Sequence, residues 1–87
     1  MINPGSVVVT RAVEEAGINI LPLMKRHLNG DWGDVPESDK ISNDNDVDVW
    51  GGRLLSCYTV DGKKVYVDTV GLNTHECYTT VLFPEEY

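Results

Sequence analysis

The residue types able to do chemistry in this chain are unevenly spread, and carboxylates dominate them. Between residues 31 and 48 lie Asp31, Asp34, Glu37, Asp39, Asp44, Asp46 and Asp48, opposed only by Lys40. They are half of the 14 acidic residues, set against 7 basic ones, and they carry most of the formal net charge of -7. Concentrating like charge costs self-repulsion, so the plainest role of this stretch is a solvated face that favours solubility. The functional role it predicts is an acidic patch that docks on a basic protein surface, for instance a groove that normally holds a nucleic-acid backbone. Carboxylates satisfy Arg and Lys forks in such a groove and speed encounter by steering. The same charge balance argues against direct nucleic-acid binding, which draws its affinity from Lys and Arg neutralising phosphates.

Metal and acid–base chemistry have thinner support. Asp44-x-Asp46-x-Asp48 matches the first ligand positions of a calcium loop, but Val49 stands where that loop needs Gly and Leu55 where it needs a bidentate acid. This leaves room only for a weaker divalent-cation site. Zinc would need four ligands at characteristic spacing, and of Cys57, Cys77, His27 and His75 only His75 and Cys77 have it. No metal or other cofactor is therefore expected. His27, near the end of a helix, reads as a capping or surface residue favoured by the helix dipole. A metal-independent ribonuclease of toxin type is the rival reading. It would use His27, a carboxylate such as Asp31, and Lys64, Thr79 or Tyr58, all within hydrogen-bond reach. The chain has no P-loop, nucleophile elbow or dinucleotide-binding glycine motif, and the balance of signals is against an enzyme.

Trp32, set among glycines and aspartates, and Trp50, before Gly51-Gly52, suit either a core plug or an interface anchor. If they anchor an interface between copies, the chain is a self-associating accessory protein. Cys57 and Cys77 sit in apolar, strand-like stretches and read as buried cytosolic thiols. No apolar run approaches the roughly 18 residues of a membrane span, and MINPGSVVVTR lacks the pattern of a secretory signal, so the expected setting is cytoplasmic.

The elements that must position these residues form one domain over residues 1–87. Ser6 to Thr10 is a β-branched run suited to an edge strand. Thr10 caps a brief helix to Ala16, and Asn19 caps a second from Ile20 to Asn29, with Leu21, Met24 and Leu28 as its apolar stripe. A third, weaker helix follows Pro36, with Ile41, Val47 and Trp50 facing inward. Beyond Gly51-Gly52 the period changes to two. Strands over Arg53–Val60, Lys63–Val70 and Glu76–Phe83 are joined first by Asp61-Gly62, a strong hairpin signal. On the second strand Val65, Val67 and Thr69 share one face, while Tyr66 and Asp68 share the other. Pro84 stops the third strand, and Tyr87 is expected to pack back against the helices. The fold class is α+β: two or three N-terminal helices packed on a three-stranded antiparallel meander.

Certain words stand out together: His27, Gly30, Asp31, Trp32 and Gly33 as H-x-x-G-D-W-G; Asp39, Lys40 and Asn43; Gly52, Arg53, Leu54, Leu55, Ser56 and Tyr58; and a terminal L-x-P-E-E-Y ending at Tyr87. Over residues 20–87 the chain resembles a family of small proteins found on bacterial plasmids, phages and genomic islands. Its members are often labelled only as plasmid-related, or loosely as a type I restriction subunit. The family usually carries a Trp-Ile-Ile-Thr-Glu-x-Asp-Arg-Ser segment, in whose place this chain has Tyr66 to Thr74, so an activity resting on that Asp-Arg pair is not expected here. The resemblance implies a mobile-element setting, in which small acidic proteins often antagonise host defence. Together with the charge pattern it predicts a non-enzymatic binding module that inhibits a CRISPR or restriction nuclease through the acidic stretch, with Trp32 and Trp50 as anchors.

Overall fold

Asp61 and Gly62 adopt positive φ angles of 50° and 78°, the geometry of a tight turn whose twist matches the strands it joins. That turn connects β2 (Gly52–Val60) to β3 (Lys63–Leu72), and β3 continues antiparallel to β4 (Tyr78–Leu82). The computed structural model describes residues 2–87. Before this hairpin come β1 (Ser6–Val9), α1 (Arg11–Glu15), α2 (Leu21–Leu28) and α3 (Glu37–Asp46), and a single 3₁₀ turn, Pro84–Glu86, follows it.

The sheet has four strands in the order β1-β4-β3-β2, with β1 running parallel to β4. The expected three-stranded antiparallel sheet is thus corrected to a four-stranded mixed one, while the α+β class holds. Local pattern displays the β1 run but not its neighbour. Ser6 pairs with Tyr78 and Val9 with Val81, some seventy residues away, and only the tertiary fold brings them together.

Alternation along the strands puts Leu54, Ser56, Tyr58, Val65, Val67, Thr69, Thr79 and Val81 on one face, all of them buried. Helices α1 and α2 cover that face with Val13, Leu23 and Met24. Thr10 caps α1 as expected, its hydroxyl accepting from the Val13 N–H. The buried stripe of α2 is Leu23, Met24 and His27 rather than Leu21, Met24 and Leu28. Leu21 is 73 % exposed and Leu28 only half-buried. Both stripes have helical spacing, and the sheet decides between them because it offers His27 two hydroxyl partners.

Helix α3 departs further from its apolar pattern. Ile41 and Trp50 are 54 % and 73 % exposed, Val47 is half-buried, and the buried residue is Asn43. The reason lies in what α3 packs against, the outer edge of β2, where backbone groups need partners. The Asn43 side chain donates to the Leu55 carbonyl (2.8 Å) and accepts from the Leu55 N–H (3.1 Å), as a neighbouring strand would. Next along that edge, the Cys57 N–H donates to the Trp32 carbonyl and the Cys57 carbonyl accepts from the Asp34 N–H. Gly33 makes this approach possible: its φ is +72°, and a Cβ there would fall 2.1 Å from the Cys57 oxygen. On the opposite sheet face Tyr87 lies edge-on to Tyr66 with ring centroids 5.4 Å apart, and it borders a hollow with Asp39 and Asp46 of α3.

Candidate functional site

Polar side chains gather in two places, and the two have opposite character. Inside the protein, His27 has no solvent exposure, in contrast to the surface or capping position its sequence context suggests. Its Nδ1 lies 2.6 Å from Ser56 Oγ and its Nε2 2.8 Å from Thr69 Oγ1. The chain of contacts continues from Thr69 Oγ1 to Thr79 Oγ1 at 2.6 Å, and Thr79 donates to the Pro4 carbonyl at 2.8 Å. Ser56, Thr69 and Thr79 are fully buried as well.

The direction of every bond in this chain follows from its last member. A carbonyl only accepts, so Thr79 spends its one proton on Pro4 and must accept from Thr69. Thr69 then has no proton left for His27, which must donate from Nε2–H. Nδ1 is therefore the bare nitrogen and accepts from the Ser56 hydroxyl. The imidazole is neutral, and its pKa is pushed down to about 4, mainly because burial penalises the charged form. Among the described residues no buried side-chain nitrogen or oxygen lacks a partner. This chain ties α2, β2, β3, β4 and the segment before β1 together without a buried charge.

Such an arrangement does not serve a ribonuclease. A general acid or base must reach a substrate proton, and both His27 nitrogens are occupied and shut away from water. The other residues of that reading are also engaged. Tyr58 donates to the Asp31 carbonyl at 2.6 Å, and burial pushes its pKa up to about 12. Lys64 reaches Asp34, and Thr79 belongs to the chain just described.

On the surface, the seven carboxylates of residues 31–48 divide. Asp31 takes both guanidinium bonds of Arg26 (2.6 and 3.3 Å), which hold its pKa below the usual carboxylate value. Asp34 accepts from Thr59 at 2.8 Å and from Lys64 at 3.2 Å, again lowering its pKa. The five carried by α3 and its C-terminal turn, Glu37, Asp39, Asp44, Asp46 and Asp48, have no ion-pair partner among the described residues. Asp44 accepts from Trp32 Nε1 at 2.9 Å, and Asp46 accepts from the Arg53 N–H at 3.3 Å. These five do not share one flank. Asp44 and Asp48 border a hollow of about 430 Å³ with Trp32, Leu72 and Asn73, whereas Asp39 and Asp46 border one of about 330 Å³ with Arg53 and Tyr87.

The tryptophans divide too. Trp32 is buried beside Val35, Leu54 and Leu72, with its ring edge-on to His27, so it plugs the core. Trp50, in the turn after α3, stands 73 % exposed beside Val49 at 45 %. The cysteines are free thiols, Cys57 buried and Cys77 half-buried. Among the described residues no three His, Cys, Asp or Glu side chains converge as metal ligands. No helix among them is long and apolar enough to cross a membrane. Sequence reasoning missed the buried chain. The hydroxyls of Ser56, Thr69 and Thr79 at inward strand positions were its only signal.

Comparison with protein-family models, with curated proteins and with solved structures finds no match to this chain. Fold and site together describe a small α+β domain with a neutral, closed polar interior and an anionic margin along α3.

Proposed function

We propose that this protein is a binding module, not a catalyst, and that it docks the anionic margin of α3 on a basic protein surface. One observation carries the reading: five carboxylates of α3 and its C-terminal turn, spread over two flanks, are without ion pairs among the described residues, while Asp31 and Asp34 before them are paired internally. Ion pairs made within the molecule consume charge that a partner would otherwise meet. The α3 carboxylates keep theirs, and Trp50 at the end of the same segment supplies the large, rigid apolar contact typical of interface anchors.

The fitting partner class is a protein with an Arg- and Lys-lined groove, and the resemblance to proteins of plasmids, phages and genomic islands points to a nuclease of host defence. Occupying that groove with carboxylates would exclude the nucleic acid. Cleavage assays on a panel of CRISPR and restriction nucleases test this. The expected result is inhibition relieved by added substrate nucleic acid and weakened in a Glu37→Gln, Asp39→Asn, Asp48→Asn variant. Full cleavage by every member of the panel, or inhibition unchanged by those substitutions, would overturn it.

A further inference from the structure

The two edges of the sheet are treated differently, and the difference points to a second contact surface. Along β2 the outward backbone groups from Arg53 to Cys57 are largely occupied, by Asp46 at the Arg53 N–H, by Asn43 at Leu55, and by Trp32 and Asp34 at Cys57. Edge strands left open invite pairing with another chain, and proteins commonly cover, twist or charge them. Strand β1, short as it is at 4 residues, is neither charged nor paired on its outer side among the described residues. Ser6 and Thr10 donate their N–H groups inward, to the Cys77 and Val81 carbonyls. In a parallel ladder alternate residues face the neighbouring strand, so Val7 and Val9 turn their N–H and C=O groups away from the sheet. Residues 6–10 hold no charge and no proline. Val7 and Val8 are 45 % and 48 % exposed, and Tyr78, the register partner of Ser6, is 47 % exposed.

We propose that β1 pairs antiparallel with β1 of a second copy about a two-fold axis at Val8, making one continuous eight-stranded sheet. The order of side chains argues for a second copy over any other strand. Ser6-Val7-Val8-Val9-Thr10 reads alike in both directions: a β-hydroxyl at each end, valines between. Antiparallel pairing about Val8 sets Val7 opposite Val9 of the second copy, and these are the residues whose backbone groups face out. Val8 then meets its own equivalent in a non-hydrogen-bonded pair, where Cα atoms approach to about 4.5 Å. Such a contact is isologous and closes at two copies. Growth beyond two is opposed because the remaining edges are the β2 edges, covered from Arg53 to Cys57. Strand order places β2 at the sheet edge opposite β1, so α3 packs away from the paired edge. This pairing does not depend on what the α3 margin binds.

Sedimentation equilibrium across concentration tests the proposal. A four-residue strand pair buries less than the roughly 1,200 Å² of firm interfaces, so half-dimerisation is expected at roughly 0.1 mM. Val8→Lys, which sets two ammonium groups on the axis, is expected to leave a folded monomer, whereas Trp50→Ala is expected to dimerise as the parent does. In the unaltered protein, exchange of the Val7 and Val9 amides is expected to slow as concentration rises, a readout independent of how the variants fold. A monomer up to roughly 1 mM, species larger than two copies, or a dimer abolished by Trp50→Ala but kept by Val8→Lys would each overturn it.

Discussion

The interior around His27 and the margin along α3 are both rich in polar atoms, yet they obey opposite rules. In the interior each hydroxyl and imidazole nitrogen has a partner and nothing is charged. Along the margin, charges accumulate and most have no partner of opposite sign. Burial accounts for the contrast. A polar group taken out of water must be hydrogen-bonded, and a charged one would cost far more, so the interior can hold a histidine only as the neutral ring. Polarity inside holds the fold together, and polarity outside is available to something else.

The largest test of that contrast is to remove the central ring. His27→Ala leaves a cavity beside Trp32 and strips partners from Ser56 and Thr69. The expected cost is about 3–5 kcal/mol, a large part of the stability of so small a domain, read as a fall in the urea or thermal midpoint.

Acid should attack the same place without mutation. The His27 pKa is about 4 when folded, against the ordinary 6.5. Between those values the unfolded chain binds a proton that the folded one refuses. The contribution of the neutral ring is therefore fully present above about pH 6.5 and is lost as pH falls toward 4, by on the order of 3 kcal/mol. Urea titrations at stepped pH should show this loss, and His27→Ala should lack that part of it. Nitrogen NMR at or above about pH 6.5 should find Nε2 protonated and Nδ1 bare.

Replacing Asn43 with Ala exposes the difference between the sealed β2 edge and the margin above it. It leaves the Leu55 N–H and C=O without protein partners, for an expected loss of about 1–3 kcal/mol. Neutralising Glu37, Asp39 and Asp48 together should have the smallest effect on folding, within about 0.5 kcal/mol, because none of them holds a partner in the native state. A large loss in that variant would mean that the margin is structural after all.

How much of this could be read from sequence differs between the same two regions. The hairpin was legible because Asp61-Gly62 and the alternation of Val65, Val67 and Thr69 are local signals, and Thr10 announced α1 in the same way. The acidic stretch was legible as composition, though not its division: nothing local says that Asp31 will meet Arg26, or that Asp34 will meet Lys64 from the hairpin. The parallel placement of β1 and the inward turn of His27 were hidden for a related reason. Each depends on partners thirty to seventy residues distant, and a helix with two equally spaced candidate stripes takes its orientation from what the sheet presents. Asn43 is the plainest instance. Propensity marks it as a poor helix former, yet it is the buried residue of α3 because an edge strand needed its amide.

The central claim is that the α3 carboxylates are held for a basic partner, and the most direct measurement is affinity against ionic strength for nucleases of the CRISPR and restriction classes. The account predicts binding that weakens steeply as salt rises, with both affinity and slope reduced by the Glu37→Gln, Asp39→Asn, Asp48→Asn substitutions. Binding indifferent to salt and to those substitutions, or no binding to any of these enzymes, would contradict it.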